Sequence, residues 1–475
     1  MEVYSAEGMW WRPEASQHRV PGTLTSDEDG VQLVVYGPLR PSIPSKVGVN
    51  KIEESQWVAT PVVHGRTRDG ADITLLGVGG LLSLPVPCAA EVREPYTVSV
   101  ACIGGHFSED AFIEARAEFD WLDAWLDPPS IVDDSVTGSR DETVVRVGRS
   151  ELARAEILGG TLRLITGVAG REGPSAIHLD RRSAVSIDLD EPQPWQTILD
   201  SWIQPFHDLL TISIGRPVRL TELRLRPADA DPRTPLCDVR FEVVQAQPKA
   251  SPSQQALLNY TAPTLITRRD AGVPLEELLT AWYELWVQER EAIMHLLAPF
   301  HASFMYSQHK FGAAFQAVEA LHHTPRFTGR EMDRRSHQER VAAIVRAAQA
   351  AGVEDDTVAW AERVLRSRND KPLTQKIEDV VRSAGACGDA VLKAAPTFPS
   401  TVAGERAGVS HPGAGRSLDA ADRYWHGEVL TWIVRTVLLA AAGVNDVDRR
   451  AVARAAFQHA VEQLGPTTES VSESG

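Results

Sequence analysis

Residues 20–39 read VPGTLTSDEDGVQLVVYGPL, and this stretch indicates the fold class of the first half of the chain. Apolar residues alternate with polar ones on either side of an Asp-Gly pair, which is the pattern of two antiparallel strands joined by a tight turn. Residues 57–78, WVATPVVHGRTRDGADITLLGV, repeat the arrangement around a second Asp-Gly pair. The two stretches predict a region built on β-hairpins.

Further strand-like segments surround these hairpins. The alternation continues at residues 96–107, 142–168 and 183–190. Residues 111–126 and 195–215 instead carry tryptophans and other apolar side chains three or four positions apart, which predicts two helices that pack against the strands. The first part of the chain is therefore expected to be rich in β-structure with two helical interruptions.

The character of the sequence changes at residues 245–262, QAQPKASPSQQALLNYTA, where Pro, Ser and Gln predominate. Beyond this point strand-like alternation ends, and long helical patterns such as those at 275–300 and 420–444 follow one another. The pattern predicts an α+β chain in which a β-rich domain precedes an all-helical bundle. The expected boundaries are a β-rich domain at 1–245, a linker at 246–262, a helical domain at 263–464 and a disordered polar tail at 465–475.

Composition and charge restrict the class of protein. The chain has 475 residues, a net charge of −16 and four widely spaced cysteines without a CxxC pair. These features, with neither a secretion signal nor an apolar run long enough for a bilayer, predict a cytoplasmic protein with free thiols and no membrane segment. The negative charge excludes a protein that coats duplex nucleic acid. A local RNA-binding cleft remains compatible with it, since residues 326–376 are locally basic.

One short stretch carries candidate chemistry. Residues 404–413, GERAGVSHPG, place Arg406 and His411 in a segment of prolines and small residues that predicts a loop leading into the helix at 420–444. A guanidinium group can hold a scissile phosphate and stabilise its developing charge. A histidine can take the proton of a ribose 2′-OH or give one to the leaving 5′-oxygen. The pair would need neither a metal ion nor an organic cofactor.

The spacing of this pair does not by itself identify a site. The same Arg-x4-His pattern recurs at Arg290–His295 and at Arg454–His459, both within helical patterns. A metal site formed by His309, His322 and His323 is a weaker hypothesis, because no cysteine or carboxylate spacing supports it. Histidines of the core or the surface are the favoured interpretation of these three residues, and no metal is expected.

Several segments resemble the ApeA family of bacterial anti-phage proteins, which join an ApeA-type N-terminal domain to a C-terminal HEPN domain. The resemblance begins at GMWWRP (8–13) and at the hairpin of residues 20–39. It continues through EFDWLDAWL, WIQPFHDLLTISIGRPVRLTELRL, FGAAFQAVEALHH and RSRNDKPLTQKIEDVV. It covers most of the chain but is diffuse.

The resemblance implies a function and a site. The HEPN ribonuclease motif is Arg, usually a polar residue, three more residues and His, ahead of the last long helix, and Arg406 and His411 occupy that place. The chain would thus be an abortive-infection effector, a metal-independent HEPN endoribonuclease acting on host or phage RNA. The polar position is Ala407 here. The alternative is therefore a catalytically degenerate HEPN scaffold or nucleotide-binding protein.

The resemblance also implies partners. RNA, either tRNA or another single-stranded or loop RNA, is the expected substrate. Homo-oligomerisation through the helical domain is expected to bring two Arg–His pairs into one cleft. A phage-derived trigger would act on the N-terminal domain, which would serve as sensor or regulator.

Overall fold

A computed structural model describes residues 4–27, 30–39, 57–81, 93–126, 150–157, 159–172, 177–241, 264–302, 304–410 and 418–465. The predicted linker at 246–262 lies outside these residues, as do residues 466–475 of the predicted tail. The chain divides into two compact units. The first comprises Met1–Leu210, Pro217–Lys249 and Leu275–Thr280, and the second comprises Thr211–Arg216, Ala250–Pro274 and Ala281–Gly475.

The first unit is organised around an antiparallel sheet, whose described strands occur in the spatial order β3-β2-β1-β4-β5-β6-β12-β11-β7-β10-β9-β8. Strand β3 also pairs with β6, which closes the first six strands into a ring. The strands are β1 (Tyr4–Trp11), β2 (Val20–Asp27), β3 (Gly30–Val35), β4 (Trp57–Thr67), β5 (Asp72–Leu81), β6 (Glu94–Ile103), β7 (Phe112–Phe119), β8 (Ser150–Ile157), β9 (Gly160–Glu172), β10 (Ile177–Gln193), β11 (Leu220–Pro227) and β12 (Cys237–Phe241). Side chains such as Trp10, Leu24, Leu33 and Leu75 fill the ring.

Both hairpins read from the sequence are confirmed. Strands β2 and β3 pair from Asp27↔Gly30 outward, and β4 pairs with β5 from Arg66↔Asp72 outward. In the second turn Gly70 has a φ of +91°, a left-handed conformation that glycine adopts without strain. The Asp-Gly pair is thus the chemical reason for the tight reversal.

The helix predicted over residues 111–126 is wrong for most of its length. Phe112–Phe119 is strand β7, which pairs with β10 and β11, and only Leu122–Leu126 is helical (α1). Phe119, Leu122 and Leu126 are all buried, so the apolar spacing is real, but it is distributed over a strand and a short helix. The cross-strand partners decide the conformation here, and they are remote in sequence.

The helix predicted over residues 195–215 is confirmed with one irregularity. It consists of α2 (Trp195–Ile198), a wide π-helical turn (Leu199–Ile203) and α3 (Gln204–Ile214). Within the turn the N–H of Gln204 donates to the carbonyl of Leu199, five residues back. The next residue, Pro205, has no N–H to donate, so the wider turn occurs where the regular ladder is already interrupted.

The second half of the chain is helical. The helices are α4 (Leu275–Gln288), α5 (Arg290–His301), α6 (Ser307–His322), α7 (Arg334–Ala350), α8 (Asp355–Arg366), α9 (Leu373–Ser383), α10 (Ala386–Ala394), α11 (Phe398–Ser410), α12 (Ala420–Ala441), α13 (Val447–Ala453) and α14 (Ala455–Glu462). The predicted α+β class, β-rich first and helical second, is confirmed. No helix among these residues combines the length and the apolar character needed to cross a bilayer.

Two of the predicted long helices are divided. The segment at 275–300 breaks at Glu289, which separates α4 from α5 with φ and ψ of −108° and 18°. The Glu289 side chain is buried, and burial raises its pKa. The segment at 374–395 breaks at Gly385, whose φ is +57°. Neither break is marked by a proline, which explains why periodicity alone missed both.

Helices α7 and α8 form a helical hairpin that we call the arm. At its root the chain is held by backbone hydrogen bonds between the two flanking segments, from Glu331 N–H to Asn369 C=O and from Lys371 N–H to Gly329 C=O, both 2.9 Å long. Within the two helices of the arm only Val341 and Val358 are buried. The arm therefore packs mainly on itself.

The last turn of α3 belongs to the second unit, where Arg435 of α12 caps it. The buried guanidinium donates from Nε to the carbonyl of Ile212 at 2.8 Å and lies 3.4 Å from that of Ser213. Burial lowers the pKa of Arg435 to about 9, so the side chain keeps its charge at neutral pH. Gly215, at a φ of +74°, follows the helix, and a Cβ there would lie only 2.6 Å from the guanidinium.

Candidate functional site

The segment that carries Arg406 is a helix, and the prediction of a loop there is wrong. Helix α11 runs from Phe398 to Ser410 and includes Arg406 in its last two turns. Pro399 stands at the second position, where its missing N–H costs nothing. Phe398, Val402 and Glu405 are all buried, at the spacing of one helical face. His411 follows the end of the helix and lies outside the described residues.

Glu405 is the anchor of this helix. Its side chain has no solvent exposure, and one carboxylate oxygen accepts a hydrogen bond from Nε of Arg423 at 2.7 Å. The other accepts from the backbone N–H of Leu418, also at 2.7 Å. A second nitrogen of the Arg423 guanidinium donates to the Leu418 carbonyl at 2.8 Å. The carboxylate therefore joins the end of α11 to the start of α12 across the segment that contains His411.

Arg406 is next to this anchor but remains accessible. Adjacent residues on a helix point about 100° apart, so the burial of Glu405 turns Arg406 toward α6. There its guanidinium lies 3.9 Å from a carboxylate oxygen of Glu319 and 6.0 Å from the ring centre of Phe315. The side chain is 43% exposed. A cation is thus held at the surface of the helical unit by long contacts that leave room for an anion.

The start of α12 is fixed by two further interactions. Asp419 caps the helix by accepting from the N–H groups of Ala421 and Asp422. His426, one turn further, donates from Nδ1 to the carbonyl of Asp422 at 2.7 Å and stacks on Phe398 with a ring separation of 5.4 Å. Burial lowers the pKa of His426, so this ring is a neutral packing element that joins the first turn of α11 to α12.

The competing Arg-x4-His pairs face their own neighbours. The Arg290 guanidinium lies 5.0 Å from the ring of Trp286, and His295 is 3.9 Å from the Glu291 carboxylate. Arg454 approaches the carbonyl of Leu265 at 3.4 Å, and the His459 ring contacts that of Trp425 edge-on. Arg406 differs from the arginines of both pairs, since it follows a buried anchor that restrains the chain on both sides of its histidine.

The adjacent histidines of α6 have different surroundings. His322 is completely buried, and its Nε2 lies 3.1 Å from the carboxylate of Asp379, which Lys371 also contacts at 2.6 Å. The His322 ring stacks on Phe327, and burial lowers its pKa. His323 is exposed at the end of the helix. His322 is therefore a core histidine.

Sequence reasoning missed the residues that support Arg406. Glu405 was one acidic residue among many, and its partner Arg423 is eighteen positions away. Glu319 and Phe315 lie on α6, almost a hundred residues earlier in the chain. The only local signal was the apolar spacing of Phe398 and Val402, which the prolines at 396 and 399 obscured.

Comparisons with known proteins agree with this arrangement. A family model described as ApeA N-terminal domain 1 matches residues 5–282, more than half of the chain. A second, described as Apea-like HEPN, matches residues 313–448, a range that contains α11 and α12. No curated protein and no solved structure matches the chain significantly. With a HEPN domain that carries Arg406 behind an ApeA-type N-terminal domain, the chain belongs to the ApeA family of anti-phage HEPN-type effectors.

Proposed function

We propose that this protein is a metal-independent endoribonuclease whose helical domain cleaves host or phage RNA through Arg406 and His411. The observation that carries the proposal is the surface position of Arg406 beside the buried anchor Glu405. The anchor prevents the guanidinium from collapsing into the helical core and holds Leu418, beyond His411, close to the end of α11. A site built this way presents a fixed positive charge to a phosphate.

The chemistry assigns a distinct role to each residue. The Arg406 guanidinium binds two oxygens of the scissile phosphate and stabilises the charge that develops as the 2′-oxygen attacks. His411 takes the proton of the 2′-OH or supplies one to the leaving 5′-oxygen. Where two chains meet, one His411 serves as base and the other as acid. RNA in a single-stranded or loop form fits this reaction, because its 2′-oxygen is free to align with the phosphate.

Glu319 limits how strongly the free site attracts RNA. Its carboxylate is 3.9 Å from the Arg406 guanidinium, a distance at which the pair attracts but forms no short hydrogen bond. An exposed pair of this kind contributes roughly 0–1 kcal/mol. A phosphate that offers two short, charge-assisted hydrogen bonds displaces such a partner.

The second candidate function is a scaffold or nucleotide-binding module built on a degenerate HEPN domain. Ala407 favours it, because the position beside the arginine carries no polar group that could orient His411 or contact RNA. The contacts of Arg406 with Glu319 and Phe315 are also compatible with a purely structural arginine. In this alternative RNA or a nucleotide binds near Arg406 but is not cleaved.

Expression in cells distinguishes the two candidates. Wild type, Arg406→Ala and His411→Ala are compared for RNA fragmentation and growth arrest, with and without phage infection. The Arg290→Ala and His295→Ala variants provide a control, since that pair has the same spacing. We expect fragmentation with wild type and with the control variants, and intact RNA with Arg406→Ala and His411→Ala. RNA that stays intact with wild type during infection would favour the scaffold.

A further inference from the structure

The arm formed by α7 and α8 exposes apolar side chains that have no place on an isolated helical hairpin. Ile344 on α7 is 44% exposed, Trp360 on α8 is 57% exposed, and Val353 in the connecting turn is 39% exposed. Exposed tryptophans are uncommon on soluble proteins and are frequent in interfaces. The residues that do pack inside the hairpin, Val341 and Val358, leave this second apolar set uncovered.

Ile344 and Trp360 lie at the same level of the arm. Ile344 stands six residues before the end of α7 at Ala350, and Trp360 stands five residues after the start of α8 at Asp355. The two helices run antiparallel, since a turn of four residues joins them and His337 Nε2 lies 3.0 Å from the Leu365 carbonyl near the root. The apolar side chains therefore form a band across the middle of the arm.

Charge is distributed unevenly on either side of this band. The tip carries Glu354, Asp355 and Asp356 in succession, whereas the root side of α7 carries Arg334, Arg335 and Arg340. Over α7 four arginines face one glutamate, for a net charge of +3. Over residues 354–366 four carboxylates face two arginines, for a net charge of −2. The arm thus has an acidic tip and a basic root.

The two charged ends are equally distant from the apolar band. Asp356 is four residues from Trp360 toward the tip, and Arg340 is four residues from Ile344 toward the root. At a rise of 1.5 Å per residue each lies about 6 Å along the arm from the band. An arm turned end over end about the band would therefore place its Asp356 level with Arg340 of the other arm. This is the self-complementarity that a two-fold interface requires.

We propose that the arm is a homodimerisation surface, on which the arm of a second copy of this chain packs antiparallel. Ile344 and Trp360 form the apolar centre around the two-fold axis, and the acidic tip of each arm meets the basic root of the other. Arg340 is 58% exposed and pairs internally with Glu331 at 3.2 Å, a surface pair that exchanges readily for an intermolecular partner. The interface is independent of RNA cleavage.

Charge reversal tests the antiparallel pairing. The full chain is studied by sedimentation equilibrium as wild type, Asp356→Arg, Arg340→Glu and an equimolar mixture of the two variants. Each variant alone brings like charges together twice per dimer, and we expect its dissociation constant to rise at least about tenfold. In the mixture every tip again faces a root of opposite charge. We expect the heterodimer to form with an affinity within about threefold of wild type.

Truncation of the apolar centre gives a second, independent test. We expect Trp360→Ser to be monomeric at concentrations where wild type is dimeric. Met294→Ser is the matched control, because Met294 on α5 is also 57% exposed, and it should leave the dimer unchanged. If Trp360→Ser fails to fold, the charge-reversal mixture decides. A monomeric wild type at about 10 μM, a dimer that persists in Trp360→Ser, or a mixture that does not recover would each overturn the proposal.

Discussion

The carboxylate of Glu405 accepts a hydrogen bond from Nε of Arg423 at 2.7 Å, inside a region from which solvent is excluded at the carboxylate. Glu405 precedes Arg406 directly in α11, and Arg423 lies in the second turn of α12. The pair therefore couples the position of the candidate phosphate-binding residue to the helix that follows the candidate catalytic histidine. The integrity of the proposed site depends on this buried contact.

The first prediction concerns the energy of that contact. Removing one partner of a buried ion pair leaves the other charge uncompensated, so we expect Glu405→Ala to lower the free energy of unfolding by about 3–5 kcal/mol. Arg423→Ala and the double variant complete a mutant cycle measured by urea unfolding. The exposed pair Arg335–Glu339 is the control, for which we expect less than about 0.5 kcal/mol. A coupling near zero for Glu405 and Arg423 would contradict the anchoring role.

A second prediction follows from His426. Burial lowers its pKa in the folded protein below the ordinary value near 6.5, although the Asp422 carbonyl and the charges of Asp422 and Glu405 oppose this effect. The unfolded chain therefore binds the proton first as the pH falls. The stabilisation is complete above about pH 6.5 and is lost as the pH falls from there through the lowered pKa.

Urea unfolding between pH 7.5 and 5 measures this dependence. We expect His426→Phe, which keeps a ring stacked on Phe398, to reduce the loss of stability at low pH by about 1 kcal/mol. His322, whose pKa burial also lowers, contributes to the remaining slope. An identical pH profile for His426→Phe and wild type would exclude His426 as a source of the dependence.

A third prediction concerns the cap that Arg435 places on α3. In Arg435→Met the carbonyls of Ile212 and Ser213 lose this buried donor, and each unsatisfied group costs about 1–3 kcal/mol. The relief of desolving a guanidinium offsets part of that cost. We expect a net loss of roughly 2 kcal/mol in the free energy of unfolding, against no significant change for Arg449→Met, which removes a 78% exposed arginine. A stabilised Arg435→Met would show that the buried charge costs more than its hydrogen bonds return.

The fourth prediction uses the residue at which the motif departs from its family pattern. If Ala407 limits the activity of the site, Ala407→Asn should increase RNA cleavage, by about tenfold where the amide forms one additional transition-state hydrogen bond. Cleavage rates of purified protein measure the effect. Ala407→Leu, which adds volume without a polar group, serves as control. Equal rates for wild type and Ala407→Asn would mean that this position does not limit catalysis.

The fold class and the site were unequally predictable from the sequence. The two Asp-Gly hairpins were correct because turn geometry and strand alternation are local properties. Strand β7 was mistaken for a helix because its conformation depends on β10 and β11, which follow more than fifty residues later. The order of the twelve strands and the pairing of β3 with β6 also depend on remote contacts.

At the site, sequence reasoning identified Arg406 but assigned it to a loop. Pro396 and Pro399 are common loop residues, yet proline is also well suited to the first turn of a helix, and the burial of Phe398 and Glu405 favours that alternative. The partners of Glu405 follow it across the segment with His411, and those of Arg406 lie on α6. Such contacts have no local sequence signature.

The central claim is that Arg406 and His411 cleave RNA without a metal ion, and the nature of the RNA ends tests it most directly. Purified wild type, Arg406→Ala and His411→Ala are incubated with total RNA in the presence of EDTA, and the new termini are identified. We predict 2′,3′-cyclic phosphate and 5′-hydroxyl ends with wild type, and rates reduced by roughly 10²–10³ in both variants. Intact RNA with wild type, cleavage that EDTA abolishes, or variants as active as wild type would contradict the account.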